Sequence, residues 1–265
     1  MSASTDGAVE GVQQFAGRNV LVTGGGTGIG RATAALLASR GARVVITGRR
    51  EQQLLDTAAA INETAKGEVL PVAGDVTDDA DLTRLFERVR SDLGSLDALV
   101  ANAGGGGFAP FGTYDEDSFY ERFDINVKAV ALTAQRSAEL MPPGSSIVIV
   151  GSISGTMGLR GLGLYGASKA AVRSFARTWS NDLRDKQIRV NVVSPGHVYT
   201  EAQMDAGIPE SAYDGVLPFI PAGRLGRPEE IATVICFLAS PESSYVAGAE
   251  FVVDGGLTQV GPPGL

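Results

Sequence analysis

The chain has 265 residues, 44% apolar and 20% charged, with a formal net charge of −8, the composition of an ordinary globular protein able to bury a large core as one α/β domain. The negative charge excludes a nucleic-acid partner, because binding phosphate backbones needs a basic surface, and no run of about 18 apolar residues offers a membrane-spanning helix. One cysteine, Cys236, and one histidine, His197, exclude an internal disulfide framework and a zinc site built from several Cys or His ligands.

Residues 1–16 lack a basic n-region and an apolar h-region. They read as a flexible polar arm ahead of a single domain over 17–265, and a cytoplasmic location is the expectation. The first strand is predicted at 18–22, an apolar run. It leads into Thr23-Gly24-Gly25-Gly26-Thr27-Gly28-Ile29-Gly30 and then a helix over 31–40, with Ile29, Leu36 and Leu37 on one face. A strand, a glycine-rich turn and a helix start make a place for phosphate. Glycines let the backbone approach a ligand, and free N–H groups at the positive end of the helix dipole favour an anion. Such turns also occur without a ligand, so the rest of the chain decides.

The same order repeats. Further strands are predicted at 43–47, 68–73, 96–101, 146–150, 188–193 and 250–253, and helices at 51–65, 78–92, 115–140, 164–184 and 229–239, the last opened by Pro228. The 78–92 helix carries Leu82, Leu85, Phe86 and Val89 at helical spacing, and the 115–140 helix carries Phe123, Val127, Val130 and Ala134 as a stripe. Strands apolar throughout, alternating with helices, predict a parallel sheet covered on both faces. Right-handed crossovers then give a doubly wound, Rossmann-type sheet of seven strands, with its ligand crevice beyond the C-terminal strand ends. The glycine clusters at 24–30, 104–107 and 151–155, and Pro195-Gly196, each follow a strand and therefore border that crevice. Cys236 lies in an apolar helical run and reads as a buried small hydrophobe.

Several ordered motifs resemble the compact branch of the short-chain dehydrogenase/reductases. They are Thr23-Gly24-x-x-x-Gly28-x-Gly30, Asn102-Ala103-Gly104, Ser152 thirteen residues before Tyr165, Tyr165-x-x-x-Lys169, Pro195-Gly196 and Asp254-Gly255-Gly256. The resemblance runs from about Phe15 to Leu257. It departs from the family at Ala101, where a further Asn is frequent, and at Gly151-Ser152, where a Ser-Ser pair is frequent.

Tyr165 and Lys169 stand four apart on a predicted helix and share a face. They are either a surface tyrosine over a lysine stem or an acid/base pair, in which a nearby cation lowers the phenol from its usual pKa of about 10. The resemblance implies the second. Tyr165 then protonates a carbonyl oxygen in reduction and takes the proton back in oxidation, while Lys169 tunes it and bonds the nicotinamide ribose. Ser152, past the fifth strand, is either a turn serine or the group that holds the substrate oxygen. Asn126 lies mid-helix, where the usual explanation is a solvated face. The resemblance implies instead a local distortion holding a water that links Lys169 to solvent. The implied catalytic set is Asn126, Ser152, Tyr165 and Lys169.

A dinucleotide site prefers an acid about 20 residues past the glycines when the ribose 2′-OH is free, and an Arg when it is phosphorylated. Here the second strand ends in Thr47-Gly48-Arg49-Arg50, and a guanidinium forks onto phosphate oxygens. NADP(H) is the expected cofactor and NAD(H) the alternative, since Thr27 offers no charge, Glu51 is close, and arginines also suit a solvated helix start. The resemblance implies the remaining contacts: Gly24, Thr27, Gly28, Ile29 and Gly30 at the phosphates, Asp75 and Val76 at the adenine, Asn102, Ala103 and Gly104 at the adenosine ribose. Pro195, Gly196, Val198 and Thr200 fall at the carboxamide. His197 is assigned no chemistry, and no metal is expected.

Residues 199–223 are loop-like and carry Met204, Ile208, Tyr213, Leu217, Phe219 and Ile220, which reads as a lid closing over the substrate. With Phe108, Phe111 and Leu159 near the crevice, the pocket is expected to be apolar. The expected function is an NADP(H)-dependent oxidoreductase interconverting a carbonyl and a secondary alcohol on a small to medium, largely apolar molecule. One alternative is a 3-oxoacyl-thioester reductase whose acidic carrier protein docks on Lys128, Arg173 and Arg177. Another is a dinucleotide-binding sensor without turnover, against which the intact Ser152, Tyr165 and Lys169 set argues. The resemblance also implies a homo-oligomer, usually a tetramer built through the two long helices and the C-terminal segment.

Overall fold

The computed structural model describes residues 14–205 and 207–260. The expected arm, 1–16, lies largely outside the described residues, and its last part is corrected. Phe15 is fully buried, and its N–H donates to the Arg40 carbonyl at 3.1 Å. An aromatic ring gains too much from burial to stay in a loose arm, so the packed domain includes Phe15.

Seven strands, β1 (Asn19–Thr23), β2 (Arg43–Gly48), β3 (Glu68–Ala73), β4 (Ala98–Ala101), β5 (Ser146–Val150), β6 (Arg189–Pro195) and β7 (Glu250–Val253), form one sheet in the order β3-β2-β1-β4-β5-β6-β7. Every pairing is parallel. The strand order reverses between β1 and β4, the switch point at which doubly wound sheets bind ligands. Pro71 sits in β3 because β3 is an edge strand, where a missing N–H breaks no ladder. β4 begins later than expected because Asp97 turns back onto β1. Its Oδ2 accepts the Asn19 N–H at 2.8 Å, and its Oδ1 accepts from Arg18 Nη1 at 3.2 Å.

The core has two layers, set by the alternation of side chains along each strand. Val20, Val22, Val44, Ile46, Val100 and Val148 pack beneath α1 (Gly28–Ser39), α2 (Glu51–Asn62) and α8 (Pro228–Ala239). Leu21, Val45, Leu99, Ile147, Ile149 and Val190 pack beneath α3 (Asp79–Asp92), α5 (Ala129–Ala138) and α6 (Gly163–Asp182). Burying each such side chain contributes about 1.5–3 kcal/mol, and this holds helices to both faces. Cys236 is fully buried in the first layer, and burial pushes its thiol up to about 12. No helix among the described residues is long and apolar enough to cross a membrane.

Two expected elements differ. The 115–140 helix is broken into α4 (Glu116–Phe123), a π-helical turn at Asp124–Lys128, and α5. Single π turns within helices are rare and recur at functional sites. Residues 199–223 are not all loop: they contain the short helix α7 (Glu201–Asp205) and 3-10 turns at Glu210–Tyr213 and Leu217–Phe219.

Candidate active site

The C-terminal ends of β1 to β6 each carry one of the predicted contacts. After β1 the backbone passes through Gly24 (φ +65°) and enters α1 at Gly28 (φ +51°), a left-handed conformation that is cheap only without a Cβ. A Cβ at Gly30 would strike the Gly24 carbonyl oxygen. Asn102, just past β4, laces this turn, its Nδ2 donating to the carbonyls of Thr23 at 2.9 Å and Gly24 at 3.1 Å. Thr23 Oγ1 in turn accepts the N–H groups of Asn102 at 3.1 Å and Ala103 at 2.9 Å. This bracing role of Thr23 was not foreseen, and its one signal is a hydroxyl closing an otherwise apolar strand.

Arg49 and Arg50 follow β2 and are exposed. Past β3, Asp75 Oδ1 accepts the Thr77 N–H at 2.9 Å and the Thr77 hydroxyl at 2.8 Å, beside buried Val76. Past β6, Gly196 lies so close to the terminal motif that a Cβ there would sit 2.7 Å from Asp254 Cα. Val198 is buried, and a Cβ at Gly28 would lie 3.2 Å from Thr200 Cβ. The loop after β6 therefore reaches the glycine turn. His197 is half-buried with its ring edge-on to Tyr213 at 5.8 Å, and desolvation lowers its pKa.

The donor set at α1 suits a dinucleotide. The first turn of α1 has no acidic residue, and Thr27 makes no side-chain capping bond. The Gly28 N–H donates instead to a carboxylate, Glu201 Oε2, at 2.8 Å. A helix start without its own cap that draws an anion from elsewhere has the chemistry a pyrophosphate needs.

The four predicted catalytic residues come together from three elements. Ser152 follows β5, nearly buried, and its Oγ accepts the Ser154 N–H at 3.1 Å. Lys169, on α6 and 4% exposed, donates from Nζ to the Val150 carbonyl at 2.9 Å. Its Nζ lies 5.8 Å from the centroid of the Tyr165 ring. Asn126 lies in the π turn and is fully buried, which corrects the solvated-face reading. The turn widens the helix and aims the amide inward. Asn126 Oδ1 accepts the Gly105 N–H at 3.1 Å, while Nδ2 donates to the Gly105 carbonyl at 2.9 Å and to Ser168 Oγ at 3.1 Å. A Cβ at Gly104 would stand 2.8 Å from Asn126 Oδ1 and 3.2 Å from Lys169 Nζ, so that glycine brings the loop after β4 against both side chains.

Burial raises the Tyr165 pKa, and a hydrogen bond with Ser152 opposes the rise. Desolvation lowers Lys169 to about 8. The expected lowering of the phenol is thus reversed in the free chain, because both groups lose hydration and the ammonium is drawn to the Val150 carbonyl.

Around the crevice, the Ala109 N–H donates to the Gly161 carbonyl at 2.7 Å, which ties the 105–114 loop to the segment before α6. Phe108 is 72% exposed and Phe111 94%, and Leu159 is half-buried. In the expected lid, Met204, Ile208 and Phe219 are exposed, Leu217 and Tyr213 are half-buried, and Ile220 is buried. The suggested basic patch is largely paired. Lys128 Nζ lies 3.2 Å from Asp124, and Arg173 Nε donates to Glu250 Oε2 at 2.6 Å. Arg173 also donates to the Gly155 carbonyl at 3.0 Å, a brace on the Ser152 turn that the sequence did not reveal.

Comparison with known proteins agrees with this geometry. Residues 24–258 match the family described as Enoyl-(Acyl carrier protein) reductase. An oxidoreductase of Sarocladium schorii is 41% identical over 94% of this chain and 99% of its own. A 3-oxoacyl-[acyl-carrier-protein] reductase of Thermotoga maritima is 40% identical over 91% of this chain and 98% of its own. The crystal structure of a short-chain type dehydrogenase/reductase from Mycobacterium marinum superposes with a TM-score of 0.87 at 33% identity, covering 94% of this chain and 98% of that one. The chain belongs to the short-chain dehydrogenase/reductase family, as an oxidoreductase of CH–OH and C=O groups with a Rossmann-type site for NAD(P).

Proposed function

We propose that this protein is an NADP(H)-dependent enzyme interconverting a carbonyl and a secondary alcohol on a small to medium, largely apolar substrate. The observation that carries this reading is the meeting of Ser152, Tyr165, Lys169 and Asn126 beside Gly104 at the C-terminal edge of the sheet. The Ser152 hydroxyl holds the substrate oxygen. The Tyr165 phenol gives that oxygen a proton in reduction and takes it back in oxidation, a positioned transfer that contributes roughly 10²–10⁴ in rate. Lys169, when charged, favours the phenolate, and Asn126 fixes the Gly105 backbone that walls this corner. The dinucleotide supplies or accepts the hydride.

Gly24, Thr27, Gly28, Ile29 and Gly30 would hold the pyrophosphate, and Asp75, Val76, Asn102, Ala103 and Gly104 the adenosine side. Pro195, Gly196, Val198 and Thr200 would hold the carboxamide. Two exposed guanidinium groups at Arg49 and Arg50, with Gly48 in place of a carboxylate, support NADP(H) over NAD(H). Phe108, Phe111 and Leu159 support an apolar substrate. Exposed Phe119 and Tyr120 on α4 support association with further copies of the chain.

The Thermotoga relative favours a second reading, reduction of a 3-oxoacyl thioester. The pairing of Lys128 and Arg173 with acids leaves less free positive charge for an acidic carrier.

The test is a panel of ketones and alcohols run with NADPH and with NADH. Faster turnover with NADPH on apolar ketones is expected. Tyr165→Phe should lower kcat by at least about 10² while the variant still binds the dinucleotide. Full activity in that variant would sink the mechanism.

A further inference from the structure

We propose that α7 is an internal anion latch: in the free chain its two carboxylates stand where the dinucleotide's phosphates go, and the dinucleotide binds by displacing them. The inference rests on the dinucleotide site proposed above. Glu201, 173 residues from Gly28 in sequence, accepts the Gly28 N–H at 2.8 Å and also pairs with Arg31 in the first turn of α1. Asp205 accepts from Arg50 Nη1 at 3.0 Å. The two acids are four apart on one short helix and share a face. That face meets the pyrophosphate-binding helix start with one carboxylate and a guanidinium suited to the 2′-phosphate with the other.

Some helix starts elsewhere carry their own acids. α3 is capped by Asp78 and carries Asp79 and Asp81 in its first turn, and α4 is capped by Asp115 ahead of Glu116 and Asp117. α1 has neither cap nor acid of its own, as is also true of α6, but at α1 the open N–H of Gly28 is met by a carboxylate from a distant helix. The latch is also weak by construction. Both ion pairs are partly exposed, and such pairs hold little in water. Little apolar burial opposes release, since Met204 on α7 is 54% exposed. A phosphate group arriving at either point competes directly with a carboxylate. Because α7 follows Thr200 and opens the 199–223 segment, cofactor arrival would free that segment to close over substrate.

Dissociation constants for NADPH and NADH, measured by the change in nucleotide fluorescence, test the latch without turnover. Apparent affinity is the intrinsic affinity scaled by the open fraction. Glu201→Gln and Asp205→Asn are therefore each expected to tighten both dinucleotides, by about 3- to 10-fold. Glu229→Gln removes the same charge from the same groove, which Glu229 lines together with Arg31 and Glu201, and it should leave both constants unchanged. No tightening in either α7 variant, or weaker binding in Glu201→Gln, overturns the latch. Failure of the unaltered protein to bind either dinucleotide refutes the site itself, a separate outcome.

Discussion

Asn126 and Gly105 exchange a reciprocal pair of hydrogen bonds: the amide oxygen accepts the Gly105 N–H at 3.1 Å, and the amide nitrogen donates to the Gly105 carbonyl at 2.9 Å. Only a primary amide offers one donor and one acceptor at this spacing. The π turn brings the side chain inward from a helix whose neighbouring residues, Asp124 and Lys128, pair on its surface.

Asn126→Ala is expected to lose about 1–2 kcal/mol of stability, since two part-buried backbone groups of Gly105 lose their partner. It should also lower kcat/KM by roughly 10²-fold, through displacement of the Gly104–Gly105 wall beside Lys169. Denaturant unfolding and steady-state kinetics check the two effects, and wild-type values in both would refute the bracing role.

Lys169 predicts a pH dependence. Its pKa falls from 10.5 to about 8 on burial, so between those values the unfolded chain binds more protons than the folded one. Stability from this group therefore rises with pH across that window, while below about pH 8 the folded chain bears the full penalty of a buried charge. The stability advantage of Lys169→Met over wild type should shrink by about 3 kcal/mol between pH 7 and pH 10.5. Unfolding curves at both pH values measure it, and a constant difference would mean that Lys169 is not desolvated as placed.

Arg49 makes no side-chain hydrogen bond or ion pair among the described residues, whereas Arg50 is engaged by Asp205. Arg49→Ala should weaken NADPH by about tenfold, the loss of one charge-assisted contact, and leave NADH unchanged. Equal weakening of both dinucleotides would place Arg49 away from the 2′-phosphate.

Much of this was legible in the linear order of residues. Runs such as Val20-Leu21-Val22 and Ile147-Val148-Ile149 must be buried on both faces, so they read as parallel strands before any coordinates are known. Tyr165 and Lys169 share a face because helix geometry puts residues four apart together. The glycines at 24–30 follow a strand and precede a helix, the order that a phosphate site needs, and the later motifs decide between that and a bare turn. Local residue types and short spacings settle such features, because each depends on neighbours within a few positions.

Contacts between distant residues could not be read this way. Asn126 meets Ser168 across 42 positions, and Glu201 meets Gly28 across 173. Mid-helix asparagine ordinarily points to solvent, and only the π turn between α4 and α5 turns this one inward. The shift on Tyr165 likewise depends on how much water the surrounding chain excludes, which no spacing encodes. A carboxylate on the helix start that the glycine turn prepares for phosphate is a property of the fold alone, because charges find one another through space and not along the chain.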